Sequence, residues 1–183
     1  RLLVGSEGTL ALITEDTLRL VPAPETVATL RVCYADTAAA CAAVVRVMAR
    51  PVVPCALEFM DSRSLAAIRE YGGAEGLPEG TRAVLMVEAD GGAEDVPRQI
   101  AELEKSLSGD GLLEIQSGFT AADIKRLWTA RKSLSLAVKN IAPLKINEDV
   151  VVPVAHLARL VGAIDALGTR HRVPIVSFGH AGN

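Results

Sequence analysis

The residues best suited to chemistry lie in the glycine-containing stretch Phe178-Gly179-His180-Ala181-Gly182. A neutral imidazole can bind a metal ion or move a proton, and neighbouring glycines let the backbone approach a ligand closely. The β-branched run from Val173 to Val176 predicts a buried strand that leads into this loop. A lone histidine is structural or exposed in most proteins, so the stretch indicates a site without identifying its chemistry.

Arg131 is a second candidate, in a predicted helix that carries several other basic residues. A guanidinium can hold a carboxylate through two parallel hydrogen bonds, which supply both charge neutralisation and orientation. Its spacing alone, however, favours a solvated charge on the helix surface.

Gly5-Ser6-Glu7-Gly8-Thr9 is a third candidate, because such a stretch forms either a tight turn or a backbone cradle for phosphate. It has neither the GxGxxG nor the Walker spacing, so the tight turn is favoured and phosphate binding stays open.

Composition narrows the possible classes of protein. The chain has 183 residues, of which 50% are hydrophobic and 3% aromatic, with a net charge of -3. This charge balance disfavours nucleic acid as a partner, since phosphate binding requires clustered Lys and Arg. The longest apolar runs are strand-sized, so we expect no transmembrane segment.

Cys33, Cys41 and Cys55 lack metal-type spacing and are expected to be reduced core thiols of a cytoplasmic protein.

Two successive β-α-β units are predicted between residues 30 and 116. Their strands are Leu30–Tyr34, Ala56–Met60, Ala83–Ala89 and Leu112–Gln116. Their helices are Thr37–Ala49, a short one capped by Asp61 that ends near Tyr71, and Glu94–Leu107. This order predicts an α+β fold, in which ferredoxin-like repeats form a mainly antiparallel sheet with helices on one face.

A further β-α-β unit is predicted to enlarge the sheet. Thr120 to Asp123 resembles a capping box and begins a helix that runs to about Lys139. A strand is predicted at Lys145–Val152, then a helix from Val154 to about Thr169 and a closing strand at Val173.

Three stretches together resemble the FAD-linked oxidases of the vanillyl-alcohol oxidase superfamily. Gly5 to Leu10 with Ile13-Thr14 is similar to the end of the flavin-binding domain. Leu127-Trp128 followed by Arg131 resembles the substrate-domain helix of the D-lactate dehydrogenase and glycolate oxidase flavin-subunit branch, which includes D-2-hydroxyglutarate dehydrogenase. Glu148 to Pro153 and Phe178 to Gly182 are similar to the active-site strands of that branch.

The resemblance implies an FAD-dependent dehydrogenase that oxidises a D-2-hydroxy acid and passes a hydride to the flavin. Electrons would then go to a carrier or partner subunit. Whether the enzyme is a homo-oligomer stays open. Residues 1–25 would be the tail of the FAD domain, and 26–183 a substrate or cap domain truncated at its C-terminus. The family's pyrophosphate loop and further metal ligands fall outside this sequence, so we expect no turnover by this chain alone. The expected location is cytoplasmic, with peripheral membrane association of the full-length enzyme left open.

The resemblance also assigns site residues. Arg131 and Ser135 would bind the substrate carboxylate, with either Lys145 or Asn147 beside them. His180 would be catalytic, as a ligand of a divalent metal such as zinc or manganese that binds the substrate's hydroxyl. The cofactor would lie near Gly5, Ser6, Glu7, Gly8 and Thr9. Trp128 is expected in the core rather than against the flavin.

Two other classes of function stay open at this point. One is a flavin oxidase of the same superfamily that acts on a neutral alcohol or phenol, although such a substrate needs no carboxylate clamp at Arg131. The other is a non-catalytic, ferredoxin-like module that binds a small molecule or regulates another protein.

Overall fold

The computed structural model describes residues 2–142 and 144–182. The strands are β1 (Thr26–Tyr34), β2 (Ala56–Met60), β3 (Ala83–Gly91), β4 (Leu112–Gly118) and β5 (Phe178–His180). The α-helices are α1 (Thr37–Met48), α2 (Ser62–Tyr71), α3 (Asp95–Leu107), α4 (Ala121–Leu127), α5 (Thr129–Ala137) and α6 (Leu157–His171). None of these helices, within the described ranges, is long and apolar enough to cross a bilayer.

The strands form one sheet in the order β4-β1-β3-β2-β5, and every neighbouring pair is antiparallel. The first four strands with α1 and α3 have the predicted ferredoxin-like order, and α2 lies between β2 and β3 in the chain. We call the side covered by α1, α3 and α6 the first face; its core includes Leu30, Val44, Leu85 and Leu103. The predicted fold class is confirmed.

The opposite side of the sheet, here called the second face, is covered by α2, α4 and α5. Its core includes Met60, Ile68, Met86, Leu127 and Leu134. The expectation of helices on one face was therefore too narrow. Burial on both sides explains why apolar residues in β1 and β3 occur in runs, such as Ala83 to Val87, rather than only at alternate positions.

Side-chain caps begin three of the helices, as the sequence predicted. Asp36 Oδ1 accepts a hydrogen bond from Ala39 N at 2.7 Å, and Asp61 Oδ1 accepts one from Ser64 N at 2.7 Å. Thr120 Oγ1 accepts one from Asp123 N at 3.1 Å and donates to the Asp123 carboxylate at 2.7 Å. The three bonds from backbone N–H groups each satisfy a donor that has no partner within its helix.

The structure corrects the predictions for the second half of the chain. The single helix expected from Thr120 to Lys139 divides at Trp128, where ψ of -8° ends α4. Residues 144–153 form no strand, and Val151 is 91% exposed. Residues 173–177 are also irregular. The predicted closing strand lies further along the chain, at Phe178 to His180, which pair with β2.

Two of the three cysteines confirm the expected core position. Cys33 and Cys41 are buried, and burial raises the pKa of each thiol to about 11. Cys55 is exposed, so its predicted place in the core is wrong. Partial burial, together with Asp90 and Glu88, nevertheless raises the pKa of Cys55 to about 11. Few thiolates are therefore present near neutral pH, which makes these cysteines poor nucleophiles.

Candidate functional site

The candidate site is built around Glu58, an acidic residue that is only 5% exposed in the middle of β2. Residues that face each other in an antiparallel pair project from the same face of the sheet. Glu58 faces Met86 on β3 and His180 on β5, which places all three on the second face. The register of β5 on β2 thus brings His180 beside a buried carboxylate.

Arg131 reaches the same carboxylate from α5. Its Nε donates to Glu58 Oε2 at 2.9 Å, and Nη2 lies 2.9 Å from that oxygen. The other carboxylate oxygen, Oε1, contacts Nδ1 of His180. One buried carboxylate therefore joins the two side chains that the sequence singled out most strongly.

Phe178 lies against the guanidinium. The Arg131 Cζ atom lies over its ring, 5.0 Å from the centroid, a favourable distance for a cation–π contact. Among the recorded hydrogen bonds and ion pairs of the described residues, none uses Nη1 of Arg131. The guanidinium is thus held along one edge and one face, and the remaining edge is free to bind an anion.

Packing of α5 sets the position of Arg131. Ala130, Leu134 and Ala137 are buried in the second-face core, and α5 packs against α2. Arg131 is next to this apolar stripe, and its side chain is 21% exposed. It is therefore partly desolvated, which strengthens its electrostatic interactions, yet solvent can still reach it.

Trp128 occupies a structural position, in agreement with the sequence prediction. Its indole Nε1 donates to Glu88 Oε2 at 2.6 Å, and Thr29 Oγ1 donates to the same oxygen at 2.7 Å. Trp128 also packs against the second-face core. These contacts fix the junction of α4 and α5, and so the start of the helix that carries Arg131.

The other predicted substrate residues lie on the surface of the described chain. Ser135 is exposed on α5, one turn after Arg131, and Lys145 and Asn147 are exposed in the irregular segment 144–153. No recorded hydrogen bond among the described residues connects them to Arg131 or His180. Their part in substrate binding therefore stays a prediction.

The stretch from Gly5 to Thr9 forms an exposed tight turn. Thr9 N and Thr9 Oγ1 both donate to Ser6 O, at 2.8 and 2.6 Å, and Ser6 N donates to Leu3 O at 3.2 Å. Gly5 and Gly8 have φ of +77°, which favours glycine. Two backbone donors are used within the turn itself, which favours the turn over a phosphate cradle; contact with a cofactor stays a prediction.

His180 is suited to be one ligand of a metal ion. Its side chain is 77% exposed, and the contact of Nδ1 with Glu58 leaves Nε2 free to coordinate. A carboxylate behind the imidazole is the usual outer partner of a metal-bound histidine. The described residues contain no group of three or more His, Cys, Asp or Glu side chains that could hold a metal ion. They supply one metal ligand, His180, and the Glu58 carboxylate that supports it, but not a complete metal site.

A small cavity of about 70 Å³ lies beside His180. It is lined by Val150, Val151, Val152, Val154, Leu157, Leu160, His180 and Ala181. Leu157 of α6 and Ala181, which line the cavity, pack with the first-face core, whereas Glu58 lies on the second face.

Glu58 is the site residue that the sequence reasoning missed. The available signal was its charge at the centre of Ala56–Met60, a strand whose other residues are apolar. Charged residues are seldom fully buried unless they are paired, so an acidic residue in a buried strand indicates a partner or a function.

The fold agrees with that of a solved structure of alkyldihydroxyacetonephosphate synthase. The TM-score is 0.62 at 17% identity, and the match covers 93% of this chain and 36% of that chain. At this level of identity the agreement concerns the fold alone.

Sequence comparison identifies closer relatives. Over its full length the chain is 37% identical to the glycolate oxidase subunit GlcD of Bacillus subtilis and covers 39% of that protein. It is 32% identical to D-lactate dehydrogenases of Anaerostipes hadrus and Archaeoglobus fulgidus, and covers 40% and 39% of them. The chain thus spans about two fifths of the length of the curated relatives it matches.

The model of the family described as FAD linked oxidases, C-terminal domain, matches residues 23–183. This match covers nearly the whole chain and includes Glu58, Arg131 and His180. The chain belongs to the FAD-linked oxidase family, as its C-terminal domain.

Proposed function

We propose that this chain is the substrate-binding part of an FAD-dependent dehydrogenase that oxidises a D-2-hydroxy acid to the 2-keto acid. The main support is the arrangement of Arg131, which is held by Glu58 and Phe178 with one edge free, beside His180. The names of relatives, glycolate oxidase subunit and D-lactate dehydrogenase, agree with a 2-hydroxy-acid substrate.

Arg131 binds the substrate carboxylate in this proposal. Its free edge offers parallel N–H donors, and the partly desolvated position makes each charge-assisted bond stronger than it would be in water. Since Glu58 and Phe178 already restrict the guanidinium, little conformational entropy is lost on binding. The bound carboxylate then fixes the orientation of C2 and its hydrogen.

His180 acts on the hydroxyl group. Oxidation removes a hydride from C2 and a proton from the hydroxyl, and leaves a carbonyl. The exposed Nε2 can accept that proton, or can bind a divalent metal that lowers the pKa of the hydroxyl. Ser135 and either Lys145 or Asn147 would complete the substrate contacts if the segment 144–153 closes over the site.

FAD supplies the hydride acceptor when it is bound, and we place it near the turn from Gly5 to Thr9. The division at residue 25 between the tail of the FAD domain and the substrate domain, an electron carrier or partner subunit, and a cytoplasmic location are parts of the same proposal.

The two rival functions are less well supported. A neutral alcohol gives no reason for a preorganised guanidinium with a free edge, which is what Arg131 presents. A non-catalytic ferredoxin-like module accounts for the sheet, but not for membership of an oxidase family or for the joined arginine, glutamate and histidine.

A substrate panel tests the proposal on the flavin-loaded enzyme that contains this domain. We expect D-lactate and D-2-hydroxybutyrate to bleach the oxidised flavin under anaerobic conditions. The L-enantiomers and the matching alcohols without a carboxylate should not bleach it. Equal reduction by the neutral alcohols would contradict the proposal.

A further inference from the structure

Glu58 divides its two carboxylate oxygens between Arg131 and His180. We infer that Glu58 is a positioning residue, which holds the guanidinium and the imidazole in fixed relation and keeps a proton on Nδ1 of His180. This inference deepens the proposed function, on which its catalytic consequences rest.

The backbone around Glu58 is paired with a strand on each side. It lies at the centre of β2, between β3 and β5, and the residue is 5% exposed. A side chain on a paired inner strand has less freedom than one on a loop, and a site held by such elements keeps its geometry. Both partners of Glu58 come from outer elements, α5 and the edge strand β5, so the carboxylate is the fixed point between them.

The contact with Arg131 selects which edge of the guanidinium is free. Nε and Nη2 face Glu58 Oε2, so an anion can make its parallel bonds only along the edge that includes Nη1. The Phe178 ring also lies against the same group. Without Glu58, the guanidinium could rotate about its long side chain and lose this direction.

The contact with His180 selects a tautomer. A carboxylate oxygen and an unprotonated ring nitrogen both carry lone pairs and would repel each other at contact distance, so Nδ1 must carry a proton. In the neutral ring Nε2 is then the unprotonated nitrogen. That atom lies on the exposed side of the imidazole, where it can accept a proton or bind a metal.

A competing role for Glu58 predicts the opposite change in substrate binding when its charge is removed. If its carboxylate merely occupied the place of the substrate's carboxylate on Arg131, removal of its charge would improve substrate binding. If Glu58 positions Arg131, the same change weakens substrate binding.

Nitrogen NMR of this chain tests the inference without activity. In a long-range proton–nitrogen correlation at a pH where the ring is neutral, wild-type His180 should show a protonated Nδ1 and a bare Nε2. Glu58→Leu should move the ring towards the Nε2-protonated form. Glu114→Gln, at a glutamate of β4 that pairs with Arg31 on the second face, should leave the His180 signals unchanged. A bare Nδ1 in the wild type would overturn the inference, and that spectrum needs no variant.

Steady-state kinetics of the flavin-loaded enzyme test the coupling to Arg131. Glu58→Gln should raise KM for D-lactate and lower kcat/KM by roughly 10- to 100-fold, as is typical of outer-shell residues. Glu114→Gln should change neither value. A lowered or unchanged KM in Glu58→Gln would overturn the positioning role. If the wild-type enzyme oxidises no D-2-hydroxy acid, the proposed function fails, while the NMR result still decides the contact with His180.

Discussion

A buried carboxylate needs partners, because the desolvation of an isolated charge costs several kcal/mol. Glu58 has them in Arg131 and His180, and Arg131 is in turn stacked on Phe178. Loss of Arg131 would leave Glu58 buried with the imidazole alone. Variants at these positions therefore change stability and substrate binding together, and the two effects have to be measured separately.

Metal binding by His180 can be predicted at the residue scale. A catalytic zinc ion takes three protein ligands, and His180 is a single one in the described part of the chain. We expect this 183-residue chain to bind zinc or manganese with a Kd weaker than about 1 μM, which corresponds to roughly 8 kcal/mol. Titration calorimetry checks this value. A tight equimolar site that His180→Ala abolishes and the exposed His171→Ala preserves would refute the prediction.

Arg131 and His180 could be singled out from the sequence because they lie in local motifs that resemble a known family. Glu58 could not, since its role comes from contacts that form only when β5 pairs with β2 and α5 packs on the second face. No local pattern encodes that register. Its charge at the centre of an otherwise apolar predicted strand was the available signal within the sequence.

At the scale of elements, Asp61 connects the end of β2 to the approach of β5. Besides capping α2, its carboxylate accepts a hydrogen bond from Ser177 N at 2.9 Å. Asp61 N donates to Ser177 O at 3.1 Å, and Ser64 Oγ donates to the same oxygen at 3.1 Å. These bonds lie beside the Met60–Phe178 pair, where β5 begins to pair with β2, and so help to place His180.

Asp61→Ala should therefore cost more stability than loss of a simple helix cap. We expect a loss of roughly 2–4 kcal/mol in the free energy of unfolding, from the cap and the charge-assisted bond to Ser177 together. Asp36→Ala is the matched control, because this exposed residue caps α1 through Ala39 N; it should cost about 1 kcal/mol. Urea denaturation measures both. Equal losses would show that Asp61 is only a cap.

The local signals in the sequence predicted helices better than strands. Caps act over three residues, so Asp36, Asp61 and Thr120 were identified correctly. A strand depends on a partner far along the chain. The apolar residues of 145–152 and 173–176 had the composition of strands, but the described structure gives them no neighbouring strand.

At the scale of the whole molecule, two apolar segments lie outside the sheet. Leu12 and Leu20 in the first segment are each 87% exposed, and Ile146 and Val151 in the second are 76% and 91% exposed. Soluble proteins rarely leave large contiguous apolar areas uncovered. In the proposed enzyme, we expect these segments to pack against the FAD-binding domain and the bound substrate.

The central claim is that Arg131 binds a substrate carboxylate, and the most direct measurement is kcat/KM for D-lactate in Arg131 variants of the flavin-loaded enzyme. Arg131→Met should reduce kcat/KM by roughly two to three orders of magnitude, at about 1.4 kcal/mol per tenfold. Arg131→Lys should recover only part of this loss, because an ammonium keeps the charge without the planar fork.

Melting temperature and FAD content must be measured on the same samples, since Arg131→Met also leaves Glu58 without its main partner. The double variant Arg131→Met/Glu58→Leu replaces the buried pair with apolar side chains and should recover stability but not activity. We expect low kcat/KM in both variants with FAD still bound. A wild-type kcat/KM in Arg131→Met, or full activity in the stabilised double variant, would contradict the central claim.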